Sequence, residues 1–191
     1  ILMMSCLSPV KAYADSRDEV RISENYREGV LESLGRTGGI ITRADLKGLE
    51  RLEIIMINDT DSLSFVNYCT SMKEFYLGNT SNNIDPIKHI GVLDNLVDFT
   101  FDCGAYTVDL TVENCKFLYN NKKIRNLKIY GDAMMQPELV YSMPNLENVA
   151  IEIRETIPLD LRTIPELKTA YIYGEPYDIS INMTANDVDY L

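Results

Sequence analysis

An α/β solenoid with one parallel strand per coil and a helical cap at its N-terminal end is the fold class this 191-residue sequence predicts. Three observations carry that expectation. The apolar phrase L-x-x-L-x-L occurs six times, at Leu49-Leu52-Ile54, Met72-Phe75-Leu77, Leu96-Phe99-Phe101, Ile124-Leu127-Ile129, Leu146-Val149-Ile151 and Leu167-Ala170-Ile172. Successive starts lie 23, 24, 28, 22 and 21 residues apart, the pattern and period of a leucine-rich repeat. The segment ahead of the first phrase has helical periodicity instead, as a terminal cover for stacked coils requires.

The chain opens on the short apolar stretch Ile1-Leu2-Met3-Met4-Ser5-Cys6-Leu7, with Ala12-Tyr13-Ala14 ahead of Asp15. Small residues at −3 and −1 suit signal peptidase, so residues 1–14 read as the tail of a secretory signal. A buried N-terminal segment is the competing structural reading. Met3-Met4-Ser5-Cys6 is also loosely similar to a bacterial lipobox, which would make Cys6 a lipid-anchoring residue. The expected location is secreted, extracellular or cell-surface. Cleavage after Ala14 removes Lys11 and takes the formal charge from −11 to −12.

Residues 15–45 form the predicted cap. Ile22, Tyr26, Val30, Leu31 and Leu34 mark one helix face. Ser16-x-x-Glu19 offers a capping box at the start, Gly35 and Gly38-Gly39 a stop. Thr42-Arg43-Ala44-Asp45 starts a second short helix with Thr42 as its cap.

Residues 46–191 form the predicted repeats, a right-handed superhelix. The second and third apolar residues of each phrase are two apart and point to one side of a strand. They predict one ladder of Leu52, Phe75, Phe99, Leu127, Val149 and Ala170, and another of Ile54, Leu77, Phe101, Ile129, Ile151 and Ile172. Val149 and Ala170 thin the first ladder toward the C-terminal end. On the back, Asp85-Pro86 reads as a cap followed by proline at the first helical position. Gln136-Pro137-Glu138 opens a similar turn, with Leu139, Val140 and Met143 facing inward. Asn114 is placed to cap Cys115–Tyr119. Thr107 to Glu113 alternate, suggesting an extra outer strand inside the longest repeat.

Apolar residues make up 46% of the chain, enough for a continuous core. The acidic balance repels phosphate backbones and anionic membrane surfaces, which argues against nucleic acid as a partner. No apolar run approaches the roughly 20 residues of a transmembrane helix. Cys69, Cys103 and Cys115 match no zinc or redox spacing, and buried free thiols are the default, with one disulfide between two of them the alternative. His89, the sole histidine, has no second ligand beside it in sequence. Asp59-Thr60-Asp61 lacks the further ligands and glycine of a calcium loop and reads as a solvated turn. Asn58, Asn79 and Asn182 head formal glycosylation sequons. No catalytic triad, phosphate-binding glycine loop or metalloprotease helix is present, so neither an enzyme nor a cofactor is expected.

Ile41-Thr42-Arg43-Ala44-Asp45-Leu46-Lys47-Gly48-Leu49-Glu50-Arg51-Leu52 resembles the cap-to-repeat junction I-T-x-x-D-L-x-x-L-x-x-L of bacterial internalin-type leucine-rich repeat proteins. The preceding helix resembles that family's cap helix, and Ile84-Asp85-Pro86-Ile87 its back-side turn. The likeness covers roughly residues 20–175 and is strongest over 20–100. It implies a curved solenoid, a secreted or surface setting and protein binding through the concave sheet. One departure stands out. The asparagine that ladders the family's loops should fall at Ile57, Thr80, Gly104, Asp132, Arg154 and Glu175, so the loop amides here must find other partners.

Between and after the ladder residues, Glu53, Ile55, Tyr76, Gly78, Thr100, Asp102, Lys128, Tyr130, Ala150, Glu152, Tyr171 and Tyr173 belong to the concave face. Tyrosine offers flat contact area and a polar tip at little entropic cost, so this face reads as a protein- or glycan-binding patch anchored on Tyr130, Tyr171 and Tyr173. The structural alternative is cross-strand packing of aromatics on a solvated sheet. Two other functions stand beside recognition: a parallel β-helix enzyme cleaving polysaccharide with Asp102 and Glu152, and an inert spacer within a larger surface protein.

Overall fold

The computed structural model describes residues 18–57, 62–79, 81–131, 133–152 and 160–173. The signal-like stretch, Cys6, Ser16, Asp59-Thr60-Asp61, the Asn58 and Asn182 sequons and the four loop positions Thr80, Asp132, Arg154 and Glu175 lie outside them.

Helix α1 (Glu24–Ser33) buries Tyr26, Val30 and Leu31, the face its periodicity marks. It ends in a Schellman turn. Gly35, at φ 66°, donates its N–H to Glu32 O at 2.8 Å, and Arg36 N–H reaches Leu31 O at 2.8 Å. Its start corrects the sequence reading. Glu19 is not the third residue of a helix; it forms an antiparallel bridge with Thr42, and Val20 N–H bonds Ile41 O at 2.9 Å. That pairing satisfies the backbone in extended form, so the helix begins only after Ser23. Helix α2 (Arg43–Lys47) is capped as expected. Thr42 Oγ1 accepts from Asp45 N–H at 3.2 Å, and Asp45 Oδ2 accepts from Thr42 N–H at 2.8 Å. Partial burial works against ionisation of Asp45, but hydrogen bonds from Arg36 and Thr42 outweigh it and hold the carboxyl below its ordinary value.

Six strands make one all-parallel sheet: β1 (Arg51–Ile57), β2 (Glu74–Asn79), β3 (Asp98–Asp102), β5 (Asn126–Tyr130), β7 (Asn148–Glu152) and β8 (Thr169–Tyr173), in that spatial order. Both predicted ladders run straight across the register, Leu52↔Phe75↔Phe99↔Leu127↔Val149↔Ala170 and Ile54↔Leu77↔Phe101↔Ile129↔Ile151↔Ile172. At the foot of each strand one carbonyl receives two N–H groups from the next coil. Glu50 O takes Lys73 and Glu74, Lys73 O takes Val97 and Asp98, Val97 O takes Arg125 and Asn126, Arg125 O takes Glu147 and Asn148, and Glu147 O takes Lys168 and Thr169. Helix α1 packs on β1. Gly29 makes that approach close, since a Cβ there would lie 2.8 Å from Glu53 O.

The back is built from short pieces: 3-10 turns at Ser64–Tyr68, Asp85–His89 and Leu161–Thr163, and helix α3 (Pro137–Tyr141), whose Leu139 and Val140 are buried along with Met143. Asp85 is the first residue of its turn, with Ile84 before it, and does not cap it by a side-chain bond. Phe117 completes the core from behind, its ring 5.2 Å from Phe99 and 6.3 Å from Phe75. The extra outer strand is present as β4 (Val108–Leu110), paired in parallel with β6 (Ala133–Met135). Asn114 does not cap. Its carboxamide donates to Asp109 O at 3.0 Å, while Thr111 Oγ1 accepts Asn114 N–H at 3.1 Å. Cys69, Cys103 and Cys115 are buried and form no disulfide with one another, and burial raises the Cys69 and Cys115 thiols to about 12.

Adjacent residues of β5 provide the test of this alternation. Leu127→Ala opens a cavity in the ladder and is expected to lower unfolding free energy by about 2–5 kcal/mol. Lys128→Ala, on the opposite face, is expected to change it by no more than about 0.5 kcal/mol. Urea denaturation of both variants reads the contrast; equal losses would contradict the strand's facing.

Candidate partner-binding face

The side chains that alternate with the ladders stand in three rows on the outer face of the six-stranded sheet. The lowest row, at the strand starts, runs Arg51, Glu74, Asp98, Asn126, Asn148, Thr169; the middle row runs Glu53, Tyr76, Thr100, Lys128, Ala150, Tyr171. Apart from Glu53, these two rows line a groove of about 730 Å³ that crosses every strand from Arg51 to Tyr171. In the upper row Gly78, Asp102 and Tyr130 lie in register, as do Glu152 and Tyr173. Ile55 stands beside a register shift in β1 and is 63% exposed.

The structure therefore brings Tyr76, Thr100, Lys128 and Tyr171 together in the groove. Glu53 turns toward a smaller hollow against α1, shared with Arg51, Ile55 and Gly29. Asp102 and Glu152 occupy the upper row but are engaged internally. Asp102 Oδ1 accepts Gly104 N–H at 2.9 Å and its Oδ2 accepts the Tyr76 hydroxyl at 3.2 Å. Burial, and then the Asp102 charge and hydrogen bond, raise the Tyr76 phenol above its ordinary value. Glu152 Oε2 accepts Gly131 N–H at 2.8 Å. Tyr130 is half-buried, and Tyr173 is placed by its backbone alone.

These contacts show how the loops manage without an asparagine ladder. Gly131 has φ 84°, and a Cβ on it would sit 2.2 Å from Gly104 O. Gly104, one of the positions where the family pattern asks for asparagine, has φ 57°. The two loops stack glycine on glycine, and acidic side chains from the sheet take their amides.

Sequence reasoning missed the lowest row. Thr169 Oγ1 donates to Asn148 Oδ1 at 2.5 Å, Asn148 Nδ2 donates to Asn126 Oδ1 at 2.6 Å, and Asn126 Nδ2 donates to Asp98 Oδ1. The bonds all point one way and terminate on a carboxylate, which polarises the chain of amides behind it. A side-chain ladder thus runs along the strand starts. The signal was present: the second x of L-x-x-L is polar in every repeat and reads Asp98, Asn126, Asn148, Thr169 in the last four. The residue before it forms a surface charge zipper, with Lys73–Glu50 at 2.8 Å, Arg125–Glu147 at 3.7 Å and Lys168–Glu147 at 2.6 Å.

One strand per coil, stacked in register behind an N-terminal helix, defines the architecture. The chain is a leucine-rich-repeat solenoid. Neither a protein-family model nor a curated protein matches the sequence. Among solved structures it is similar to internalin C2 of Listeria monocytogenes, at 14% identity and a TM-score of 0.39 over 88% of this chain and 93% of that one. It is also similar to internalin F of the same organism, at 15% identity and a TM-score of 0.35, over 82% of this chain and 58% of that one. Among the described residues no helix is long and apolar enough to cross a membrane.

Removing the middle of the amide ladder with Asn148→Ala is expected to cost about 1–2 kcal/mol, the net worth of two hydrogen bonds. Amide hydrogen exchange should quicken in β7 and β8 while α1 keeps its protection. An unchanged exchange profile would contradict the ladder's role.

Proposed function

We propose that this chain is a recognition module that holds a protein partner on the concave sheet face and carries out no chemistry of its own. The supporting observation is the groove: one continuous depression spanning all six strands from Arg51 to Tyr171, with Tyr76, Thr100 and Lys128 between. A rigid parallel sheet preorganises such a surface, so little ordering entropy is lost on binding. Tyr130 in the row above extends the aromatic area, and Thr100 and Lys128 supply the polar pattern of the middle row. The resemblance of the cap-to-repeat junction and the signal-like residues 1–14 support a secreted or surface setting.

A polysaccharide-cleaving β-helix fits less well. Each coil adds one strand to a single main sheet. Asp102 and Glu152 stand on β3 and β7 with β5 between them, roughly 10 Å apart by strand spacing, and each is occupied by a loop amide.

Affinity capture from extracellular and host-surface protein mixtures, quantified against the triple variant Tyr130→Ala, Tyr171→Ala, Tyr173→Ala, tests the reading. Partners recovered by the native chain should fall at least tenfold with the variant while its thermal unfolding stays cooperative. Equal recovery of every protein by both would reject the face.

A further inference from the structure

Lys128 stands near the centre of the groove with an exposed ammonium that makes no hydrogen bond or ion pair with any described residue. Other cations along this sheet are partnered. Lys73 pairs with Glu50, Lys168 and Arg125 with Glu147, and Arg51 lies 3.8 Å from both Glu53 and Glu74. The carboxylates nearest in register to Lys128 are committed elsewhere: Asp98 to Asn126, Asp102 to Gly104 and Tyr76, Glu152 to Gly131. The cation is thus left over by a pattern that pairs its neighbours.

Its surroundings define a pocket. In the middle row Lys128 is followed by Ala150 and then Tyr171, on β5, β7 and β8. Ala150 is a dip, its methyl group the smallest side chain of that row. Strand spacing puts Lys128 and Tyr171 about 5 Å to either side of it. The Tyr171 hydroxyl has no partner among the described residues, so an ammonium and a phenol, both donors, flank a small apolar floor. Asn148 and Thr169 border the dip below but spend their polar atoms on the ladder, Thr169 Oγ1 donating to Asn148 Oδ1 and Asn148 Nδ2 to Asn126 Oδ1. A single carboxylate over Ala150 would accept from Lys128 on one side and Tyr171 on the other, a charge-assisted arrangement. At the opposite end of the groove the charges are Glu74 and Asp98 against Arg51 alone, so a polyanion is repelled there. The complementary ligand is of mixed charge: acidic at β5–β8, neutral or basic at β1–β3. A polypeptide meets that description.

Resting on the recognition reading above, we propose that the dip at Ala150 receives one Asp or Glu side chain of a protein partner, with Lys128 and Tyr171 as the specificity-determining groups. The carboxylate fixes which end of the partner lies toward β8.

The test is selection of random dodecapeptides displayed on phage against the full chain, against Lys128→Glu and against Ala150→Gln, each first shown to unfold at its native temperature. The native chain should enrich peptides with one acidic residue and a basic residue several positions away. Lys128→Glu should bind those peptides at least tenfold more weakly and select Lys or Arg at the acidic position, and Lys128→Arg should retain binding within about threefold. A consensus indifferent to Lys128→Glu but lost with Ala150→Gln overturns the carboxylate pocket and leaves the recognition face standing. Peptides indifferent to both variants, or no enrichment at all, overturn the face and the pocket together. A parallel arm with uronic-acid oligosaccharides should show no binding; their retention, lost in Lys128→Glu, without peptide enrichment, overturns the protein partner in favour of an acidic glycan.

Discussion

No coil of this chain buries its own apolar side. Leu52, Phe75, Phe99, Leu127, Val149 and Ala170 are each 2% exposed or less only because the coil before or after lies against them. Everything else follows from that stacking. It forces the strands to be parallel, since each must leave the sheet and cross the back before returning one position on. It sets a fixed register, because a one-residue slip would turn each ladder outward. It also creates the proposed binding surface, because every strand side chain excluded from a ladder must stand on the opposite face.

Stacking alone does not hold the polar backbone, and two devices do so here. The carbonyl at each strand foot accepts a pair of N–H groups from the next coil, repeated five times without exception. Where the chain turns away after β3 and β5, Gly104 and Gly131 take positive φ; Asp102 accepts the Gly104 amide within its own turn, and Glu152 reaches across from β7 to that of Gly131. A side-chain ladder runs along the strand starts, on Asp98, Asn126, Asn148 and Thr169. The ladder couples stability to the groove, because it is also the groove's lower wall. In the middle row Thr100, Lys128 and Tyr171 take no part in that ladder.

The main sheet was legible in the sequence because apolar residues two apart, repeated at a near-constant period, admit one arrangement. The same holds for the Tyr26–Val30–Leu31 face, the stop at Gly35 and the Thr42 cap, all settled by neighbours within a few residues. What was not legible depended on contacts between coils. Glu19 pairs with Thr42, 23 residues away, and that bridge delays α1. Ala133–Met135 becomes a strand only because Val108–Leu110 lies beside it. Asn114 looked like a cap by local pattern, but Asp109 O competes for its carboxamide. Asp102 and Glu152 were visible as concave residues, whereas their commitment to loop amides was not. Lys128 was visible too; its lack of a partner emerges only once the neighbouring acids are seen to be taken.

The most direct test of the stacked-coil account is nuclear Overhauser spectroscopy of the isotopically labelled chain. Parallel pairing predicts contacts from the Phe99 ring to both Phe75 and Leu127, from Ile129 to both Phe101 and Ile151, and no strong Hα–Hα contacts between neighbouring main-sheet strands. Strong Hα–Hα contacts between any two of β1, β2, β3, β5, β7 and β8, the mark of close antiparallel pairs, would contradict it.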